Sequence, residues 1–195
     1  MCSIHCEANQ GSGGPLMQKP YFRDVWALGP NPAYPGAFPL GLINKVRKHW
    51  WGQKRLWLFS GSFKDPDGTT VDIKPELKPT VVANCEELPF ESESFDFVFA
   101  DPPYSEEEAL RLYNLPYFNI RKVLQEMIRV CEPNGKILFL HRLVPTAYPD
   151  ITFKLLELQG VVGIYNFGGM SNIRALTVWK KHQTLRQAMK RNGGM

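Results

Sequence analysis

The chain has 195 residues, of which 44% are hydrophobic and 22% are charged. This length fits one domain of ordinary size, and the composition is typical of a globular protein with a real core. The chain is too polar and too often interrupted by Gly and Pro to hold a bilayer-spanning stretch, and the N-terminus lacks the basic and apolar regions of an export signal. These features exclude a membrane-spanning segment and predict a cytoplasmic protein.

The cysteines predict neither disulfides nor a metal site. Cys2, Cys6, Cys85 and Cys131 are scattered along the chain, which is poor spacing for a disulfide framework, so we expect reduced thiols. Cys2 and Cys6 flank His5, but three ligands in a Gly-rich segment without a second ligand pair do not predict a metal centre.

Charge is distributed unevenly along the chain. The net charge is only +4, yet the segment from Lys180 to Arg191 contains five basic residues and no acidic one. This pattern fits contact with the phosphates of a nucleic acid and fits a solvated terminal helix equally well.

Composition divides the chain into three parts. Residues 1–20 are rich in Gly, Ser, Asn and Gln and are predicted to be a flexible leader. Residues 21–181 are predicted to form a single domain, which begins with an irregular, proline-rich arm over 21–38. Residues 182–195 form the basic C-terminal tail.

The central part alternates helical and strand patterns. A helix is predicted from Pro39 to Gly52 by apolar residues at helical spacing. Four short apolar runs then predict buried strands of a mostly parallel sheet: Arg55–Phe59, Thr69–Ile73, Pro79–Ala83 and Phe95–Ala100.

The later elements complete an α/β domain. Ser105 followed by three glutamates predicts a helix start, and an apolar stripe predicts a second helix from Asn119 to Cys131. A further strand is expected from Lys136 to His141. Thr152–Phe167 and Ile173–Lys181 are predicted to form an antiparallel hairpin at the sheet edge.

The segment Asp101-Pro102-Pro103-Tyr104 directly follows a hydrophobic predicted strand. Ligands bind at the carboxyl ends of strands in open parallel sheets. Consecutive prolines fix the backbone and remove N–H donors, so the Asp101 carboxylate and the Pro102 carbonyl form a rigid pair of acceptors. Such a pair can draw an aromatic amino group toward a nucleophilic geometry, and Tyr104 offers a face on which a planar ring could stack.

These four residues strongly resemble the Asp-Pro-Pro-Tyr motif of class I S-adenosylmethionine-dependent amino-methyltransferases, which modify N6 of adenine or N4 of cytosine. The resemblance covers about residues 34–181. It implies a small Rossmann-like methyltransferase fold with S-adenosyl-L-methionine as cofactor, and Asp101, Pro102, Pro103 and Tyr104 as the catalytic residues. The cofactor-binding residues that it implies are Tyr34, Phe38, Phe59, Ser60, Gly61, Ser62, Asp72, Ile73, Asn84 and Cys85.

The chain also departs from this family. Only ten residues separate Gly61 from Asp72, so the usual helix between the first two parallel strands cannot fit. The segment from Arg142 to Ile151 is also too short for a full helix. No room remains for a separate target-recognition region, so site preference must come from the arm, from the segment Tyr113 to Phe118, or from the basic tail.

Three functions remain open from the sequence. The resemblance favours methylation of an amino group in a nucleic-acid base, with adenine N6 in DNA as first choice, and RNA as a second substrate. The third is a cofactor-binding homologue without turnover. Each of these functions is compatible with binding to a second copy of the chain or to a separate specificity partner.

Overall fold

The computed structural model describes residues 22–31, 37–145, 148, 150, 152–166 and 173–182. None of the helices within these residues has the length and apolarity needed to cross a bilayer. The predicted leader with Cys2, His5 and Cys6, the residue Tyr34 and nearly all of the basic tail lie outside the described residues.

The first half of the described chain carries five strands and one long helix. Its elements are β1 Phe22–Leu28, α1 Leu42–Trp50, β2 Arg55–Leu58, β3 Thr69–Asp72, β4 Val81–Val82 and β5 Phe95–Ala100. A short 3-10 turn, Pro75–Leu77, connects β3 to β4.

The second half carries the remaining strands and helices. Its elements are α2 Glu106–Glu108, a π-helical turn Ala109–Tyr113, α3 Ile120–Val130, β6 Cys131–His141, α4 Thr152–Leu155, β7 Leu156–Asn166 and β8 Arg174–Lys181. The helix starts follow the sequence: the Ser105 hydroxyl accepts a hydrogen bond from the Glu108 N–H, and the Asn119 side chain accepts one from the Lys122 N–H.

All eight strands form one sheet in the order β1-β7-β8-β6-β5-β2-β3-β4. The pairs β7-β8 and β8-β6 are antiparallel, and the remaining pairs are parallel. The predicted mostly parallel sheet with a C-terminal antiparallel hairpin is therefore confirmed.

Both faces of the sheet are buried, which explains the continuous hydrophobic runs of its central strands. On β5, Val98 and Ala100 face a core that α3 covers, whereas Phe97 and Phe99 face a second core with α1 and Trp57. Alternate residues of one strand thus contribute to two separate cores.

Two sequence predictions about the sheet are wrong. The hairpin does not lie at the edge, because residues 22–28 of the supposedly irregular arm form β1, which pairs with β7 in parallel. The strand predicted from Lys136 begins at Cys131, which pairs with Phe95 across an irregular register.

The predicted lack of a helix between β2 and β3 is confirmed, and a buried ion pair fixes the connecting loop. Arg55 donates to both carboxylate oxygens of Asp65, at 2.6 and 2.9 Å. The indole N–H of Trp57 donates to the same carboxylate at 2.8 Å. Since Arg55 and Trp57 lie on β2, they hold the loop against the sheet where a helix would normally pack.

Candidate active site

The order of the strands places the candidate site between β2 and β5. The chain runs outward from β2 to β3 and β4 and then returns to β5 on the other side of β2. Such a reversal opens a crevice at the carboxyl ends of the two strands. Leu58 pairs with Ala100, so the glycine loop, residues 59–62, and the motif that begins at Asp101 leave the sheet side by side.

A pocket with an empty volume of about 850 Å³, open solvent included, lies at this crevice. Six of the predicted cofactor residues line it: Phe59, Gly61, Asp72, Ile73, Asn84 and Cys85. From the motif, Asp101 and Pro103 line the pocket, whereas Pro102 and Tyr104 do not.

The remaining predicted cofactor residues lie elsewhere. Phe38 packs among Trp57, Phe63 and Phe99 in the core under α1, and together with Ser62 it lines a separate cavity. Ser60 is buried without lining either cavity, and its hydroxyl has no hydrogen-bond partner among the described residues.

The Asp72 carboxylate joins the glycine loop to the end of β3. It accepts a hydrogen bond from the Gly61 N–H at 2.9 Å and another from the Lys74 N–H at 3.0 Å. Both Phe59 and Gly61 have positive φ values, 54° and 55°, and a positive φ is strained for Phe59. This turn exposes backbone to the pocket, and each carboxylate oxygen of Asp72 keeps acceptor capacity for hydroxyl groups.

The side of the pocket opposite the strands is largely apolar and aromatic. It includes Ala109, Tyr113, Leu115, Pro116, Tyr117 and Phe118. The Phe118 ring packs on Phe59 with centroids 5.1 Å apart. The Asp72 carboxylate is an acceptor for hydroxyl groups, and together with this apolar wall it fits a ribose carrying a purine.

Cys85 is buried in the wall of the same pocket. Burial raises the pKa of its thiol to about 12, so the group is a neutral packing element rather than a nucleophile. Burial likewise raises the pKa of Cys131 to about 12.

Asp101 carries the chemistry that the sequence predicts for this site. Its burial raises the pKa of the carboxyl to about 7, although the hydrogen bond from Tyr104 and the charge of Arg174 act in the opposite direction. The Tyr104 hydroxyl donates to Oδ1 of Asp101 at 2.6 Å. The carboxylate therefore has one oxygen held by the protein and further acceptor capacity toward the pocket.

Tyr104 is surrounded by protein groups. Arg142 and Arg174 lie 5.4 and 5.8 Å from the centre of its ring, and Nη1 of Arg174 donates to its hydroxyl at 3.2 Å. The edge of the His141 ring meets it at a centroid distance of 5.5 Å. The structure thus gives Tyr104 contacts with Asp101 and two cations, and stacking of a base on its ring stays a prediction.

The Glu108 side chain, which the sequence did not single out as a site residue, fixes the motif. The Glu108 carboxylate accepts from the Tyr104 N–H at 2.6 Å, while its own N–H donates to Ser105, so α2 and the motif form one unit. The signal was present in the sequence as Ser105 followed three residues later by Glu108.

His141 lies fully buried beneath the motif. Its Nδ1 accepts from the Leu143 N–H at 2.9 Å, which leaves the proton on Nε2, facing the Tyr117 hydroxyl at 3.3 Å. Burial lowers the pKa of this imidazole, and a hydrogen bond with the Pro103 backbone partly opposes that effect. A neutral His141 therefore anchors the second proline of the motif.

Fold and crevice together are those of the class I methyltransferase fold, and comparisons with known proteins agree. Residues 65–139 match the family model described as a methyltransferase domain. No curated protein sequence matches the chain.

Solved structures are similar in fold at low sequence identity. TrmN from Thermus thermophilus has a TM-score of 0.54 at 17% identity, over 75% of this chain and 50% of TrmN. The chain thus spans about half the length of that relative.

Two other structures extend this likeness. The N-methyltransferase NodS from Bradyrhizobium japonicum WM9, in complex with S-adenosyl-L-homocysteine, has a TM-score of 0.52 at 14% identity, over 72% of this chain and 83% of that one. A structure of the Haloferax volcanii Trm112 methyltransferase activator with the putative methyltransferase gives 0.53 at 13% identity, over 72% and 88%. The comparisons support the prediction of S-adenosyl-L-methionine as the cofactor.

Proposed function

We propose that the protein is an S-adenosylmethionine-dependent methyltransferase that acts on an exocyclic amino group of a nucleic-acid base. The observation that carries the proposal is the position of Asp101, which lies on the wall of one pocket with Gly61, Asp72 and Asn84. A single crevice thus offers groups suited to the cofactor and a carboxylate suited to the substrate amine. The cofactor supplies a methyl group on a sulfonium centre.

The residues of the pocket have separate roles in this proposal. Asp72 and the glycine loop would hold the ribose and the methionine part of the cofactor, and the apolar wall would receive its adenine ring. Asp101 accepts an N–H of the substrate amine, which increases the electron density on its nitrogen and aligns its lone pair with the methyl carbon. Methyl transfer would form a bond between the amine nitrogen and the methyl carbon as the carbon–sulfur bond of the cofactor breaks, and the proton lost from the nitrogen would pass to solvent.

Adenine N6 in DNA is the first substrate to test, because an aspartate begins the motif. A base within a duplex must leave the stack to reach Asp101, at a cost of a few kcal/mol. RNA is the second substrate to test, since a base in a single-stranded loop needs no extrusion.

Radiolabelled methyl transfer tests the proposal directly. The purified protein is incubated with labelled cofactor and with separate DNA, RNA and protein pools, and labelled nucleic acid is digested to nucleosides. We expect label in a base methylated on its amino group. Label confined to protein, to a ring nitrogen or to the ribose contradicts the proposed reaction.

Asp72→Ala is expected to weaken binding of S-adenosyl-L-homocysteine by roughly tenfold to a hundredfold, because the ribose hydroxyls lose a charged acceptor. Titration calorimetry measures the change. Asp72→Asn serves as a control that keeps an acceptor for the Gly61 N–H, which separates ligand contact from collapse of the glycine loop. Unchanged affinity in both variants removes Asp72 from the site.

Methyl transfer is expected to increase with pH through about 7, because the ionised Asp101 carboxylate is the better acceptor and its pKa lies at about 7. Since the positive charge of Arg174 lowers this pKa, Arg174→Leu is expected to shift the acidic limb of the rate profile to higher pH. The pH dependence of kcat in both proteins measures the shift. A shift to lower pH contradicts the coupling of Arg174 to Asp101.

A further inference from the structure

Tyr117 lies in the wall of the candidate site, and aromatic contacts fix its position. Its ring packs on the Phe118 ring at a centroid distance of 4.7 Å, and the Phe118 ring packs on Phe59 of the glycine loop at 5.1 Å. The next residue, Asn119, donates its N–H to the Glu86 carboxylate at 2.8 Å. These contacts hold Tyr117 in place before a ligand enters the pocket.

The hydroxyl group of Tyr117 lies close to the motif. Its oxygen is 3.3 Å from Nε2 of His141, and the same imidazole forms a hydrogen bond with the Pro103 backbone. Asp101, two residues before Pro103, lines the same pocket as Tyr117. A single imidazole ring therefore separates the Tyr117 hydroxyl from the motif that carries the Asp101 carboxylate.

The tautomer of His141 determines which proton the Tyr117 hydroxyl can offer. Nδ1 of His141 accepts from the Leu143 N–H, so Nε2 carries the ring proton and donates it to the Tyr117 oxygen. A phenol that accepts one hydrogen bond still has its own O–H to donate. Within the part of the chain that the structure describes, the Tyr117 hydroxyl has no hydrogen-bond partner other than His141. Its proton is thus available to an acceptor in the pocket.

The pocket wall thus offers a hydrogen-bond acceptor at Asp101 and a donor at Tyr117. Adenine presents the matching pair on one edge, the amino group at N6 and the unprotonated ring nitrogen N1, and cytosine presents the same pair at N4 and N3. Guanine has an N–H donor beside its amino group on that edge, so two donors would meet. An aliphatic amine has no acceptor next to its nitrogen.

We propose that the Tyr117 hydroxyl donates a hydrogen bond to the ring nitrogen next to the target amino group. The inference rests on the proposed function and narrows its substrate class to bases in which an amino group adjoins an unprotonated ring nitrogen, which are adenine and cytosine. In this arrangement Tyr117 determines which base is accepted, and Asp101 acts on the amino group.

Bases that lack the ring nitrogen test this contact. Single-stranded 12-mers, made as DNA and as RNA, carry one adenine or one cytosine among thymines or uracils. Matched 12-mers carry 1-deazaadenine or 3-deazacytosine at the same position, so a C–H group replaces the ring nitrogen. The measured quantity is the ratio of kcat/KM on the natural base to kcat/KM on the deaza base, determined separately for each protein. Because both values come from one preparation, the folded fraction of a variant cancels from this ratio.

Tyr117→Phe is expected to lower kcat/KM on the natural base about tenfold, because the ring nitrogen loses its donor. The ratio of natural to deaza base should be about tenfold smaller in this variant than in the wild type, since the contact that the deaza base removes is already absent. The effect of the ring nitrogen on the reactivity of the amino group is common to both proteins. Equal ratios in the two proteins overturn the proposal.

Tyr148→Phe is the matched control, because Tyr148 lies near Tyr117 but does not line the pocket. It removes the same chemical group and should keep the wild-type ratio of natural to deaza base. A decrease of this ratio as large as that in Tyr117→Phe would attribute the effect to general repacking, and that result also overturns the proposal.

Binding of the same 12-mers, labelled with fluorescein, in the presence of S-adenosyl-L-homocysteine separates this inference from the proposed function. Methyl transfer to an amino group with equal ratios in the wild type and Tyr117→Phe overturns the role of Tyr117 while the methyltransferase stands. Tighter binding of the natural base than of the deaza base by the wild type alone, without transfer to any 12-mer, contradicts the proposed function and leaves the recognition contact in place. Failure of all natural 12-mers to bind and to react overturns both.

Discussion

Asp101→Ala is expected to abolish methyl transfer while binding of S-adenosyl-L-homocysteine stays within roughly tenfold of the wild type. The reason is the proposed division of the pocket: Asp101 contacts the motif tyrosine at the proposed substrate end, whereas Gly61 and Asp72 contact each other at the proposed cofactor end. Single-turnover methyl transfer and titration calorimetry measure the two effects separately. Equal loss of transfer and of ligand binding contradicts the role assigned to Asp101.

Asp101→Asn is the variant whose side chain is closest in shape to the wild type. Its free energy of unfolding provides a second test. In the folded wild type the pKa is raised from 3.8 to about 7, so the ionised form is disfavoured, and stability is lost as pH increases from about 4 to 7. The neutral amide avoids this loss. We expect the variant to be more stable than the wild type at pH 8 by roughly 2 to 4 kcal/mol and close to it at pH 4.

Urea unfolding at the two pH values measures this difference. A variant that is inactive yet more stable at pH 8 indicates that the wild type keeps a destabilising carboxylate for its chemistry. A variant that is less stable than the wild type at both pH values contradicts the conclusion that the ionised Asp101 carboxylate destabilises the fold.

The sequence predicted the centre of the fold well because its strands are buried on both faces. Phe95–Ala100 was predicted with its observed bounds, since hydrophobic residues on both faces and flanking turn residues leave little alternative. The position of Asp101 at the end of this strand follows directly from these bounds. Its closeness to the glycine loop follows because both segments come directly after parallel strands. These features depend on local pattern and on the general geometry of parallel sheets.

The edge of the sheet was not predictable in the same way. The segment Phe22–Leu28 alternates imperfectly and stands beside several prolines, which favoured an irregular arm. It forms β1 because Trp26 and Leu28 are buried in the core with α1, a tertiary contact that outweighs local propensity. That contact places the hairpin inside the sheet.

The contacts around Tyr104 also depended on information that the sequence does not contain. Arg142 and Arg174 are separated by a long stretch of chain, and only the antiparallel register of β6 and β8 brings them to one tyrosine. The contacts of His141 with Tyr117 and with the Pro103 backbone also join residues far apart in the sequence. In contrast, the capping pair of Ser105 and Glu108 was visible as a local pattern and needed only its connection to Tyr104.

Loss of the Asp65 carboxylate is expected to have the largest effect on stability. Asp65 and Arg55 are only 4% and 6% exposed, and the hydrogen bond with Arg55 lowers the pKa of Asp65. Asp65→Ala leaves a buried guanidinium without its counter-charge, and removal of one partner from such a pair costs about 3–5 kcal/mol. Urea unfolding measures the loss.

Asp67→Ala provides the matched control in the same loop. The Asp67 carboxylate lies 3.8 Å from Arg55 but is 83% exposed, so its removal should change stability by less than about 0.5 kcal/mol. A comparison of the two variants separates the contribution of the buried ion pair to stability from that of the rest of the loop. Because this loop stands in place of a helix and leads directly from Gly61 to Asp72, Asp65→Ala should also weaken cofactor binding, while Asp67→Ala should not. Equal stability of the two variants would mean that the apolar contacts of Phe63, and not the ion pair, hold the loop on the sheet.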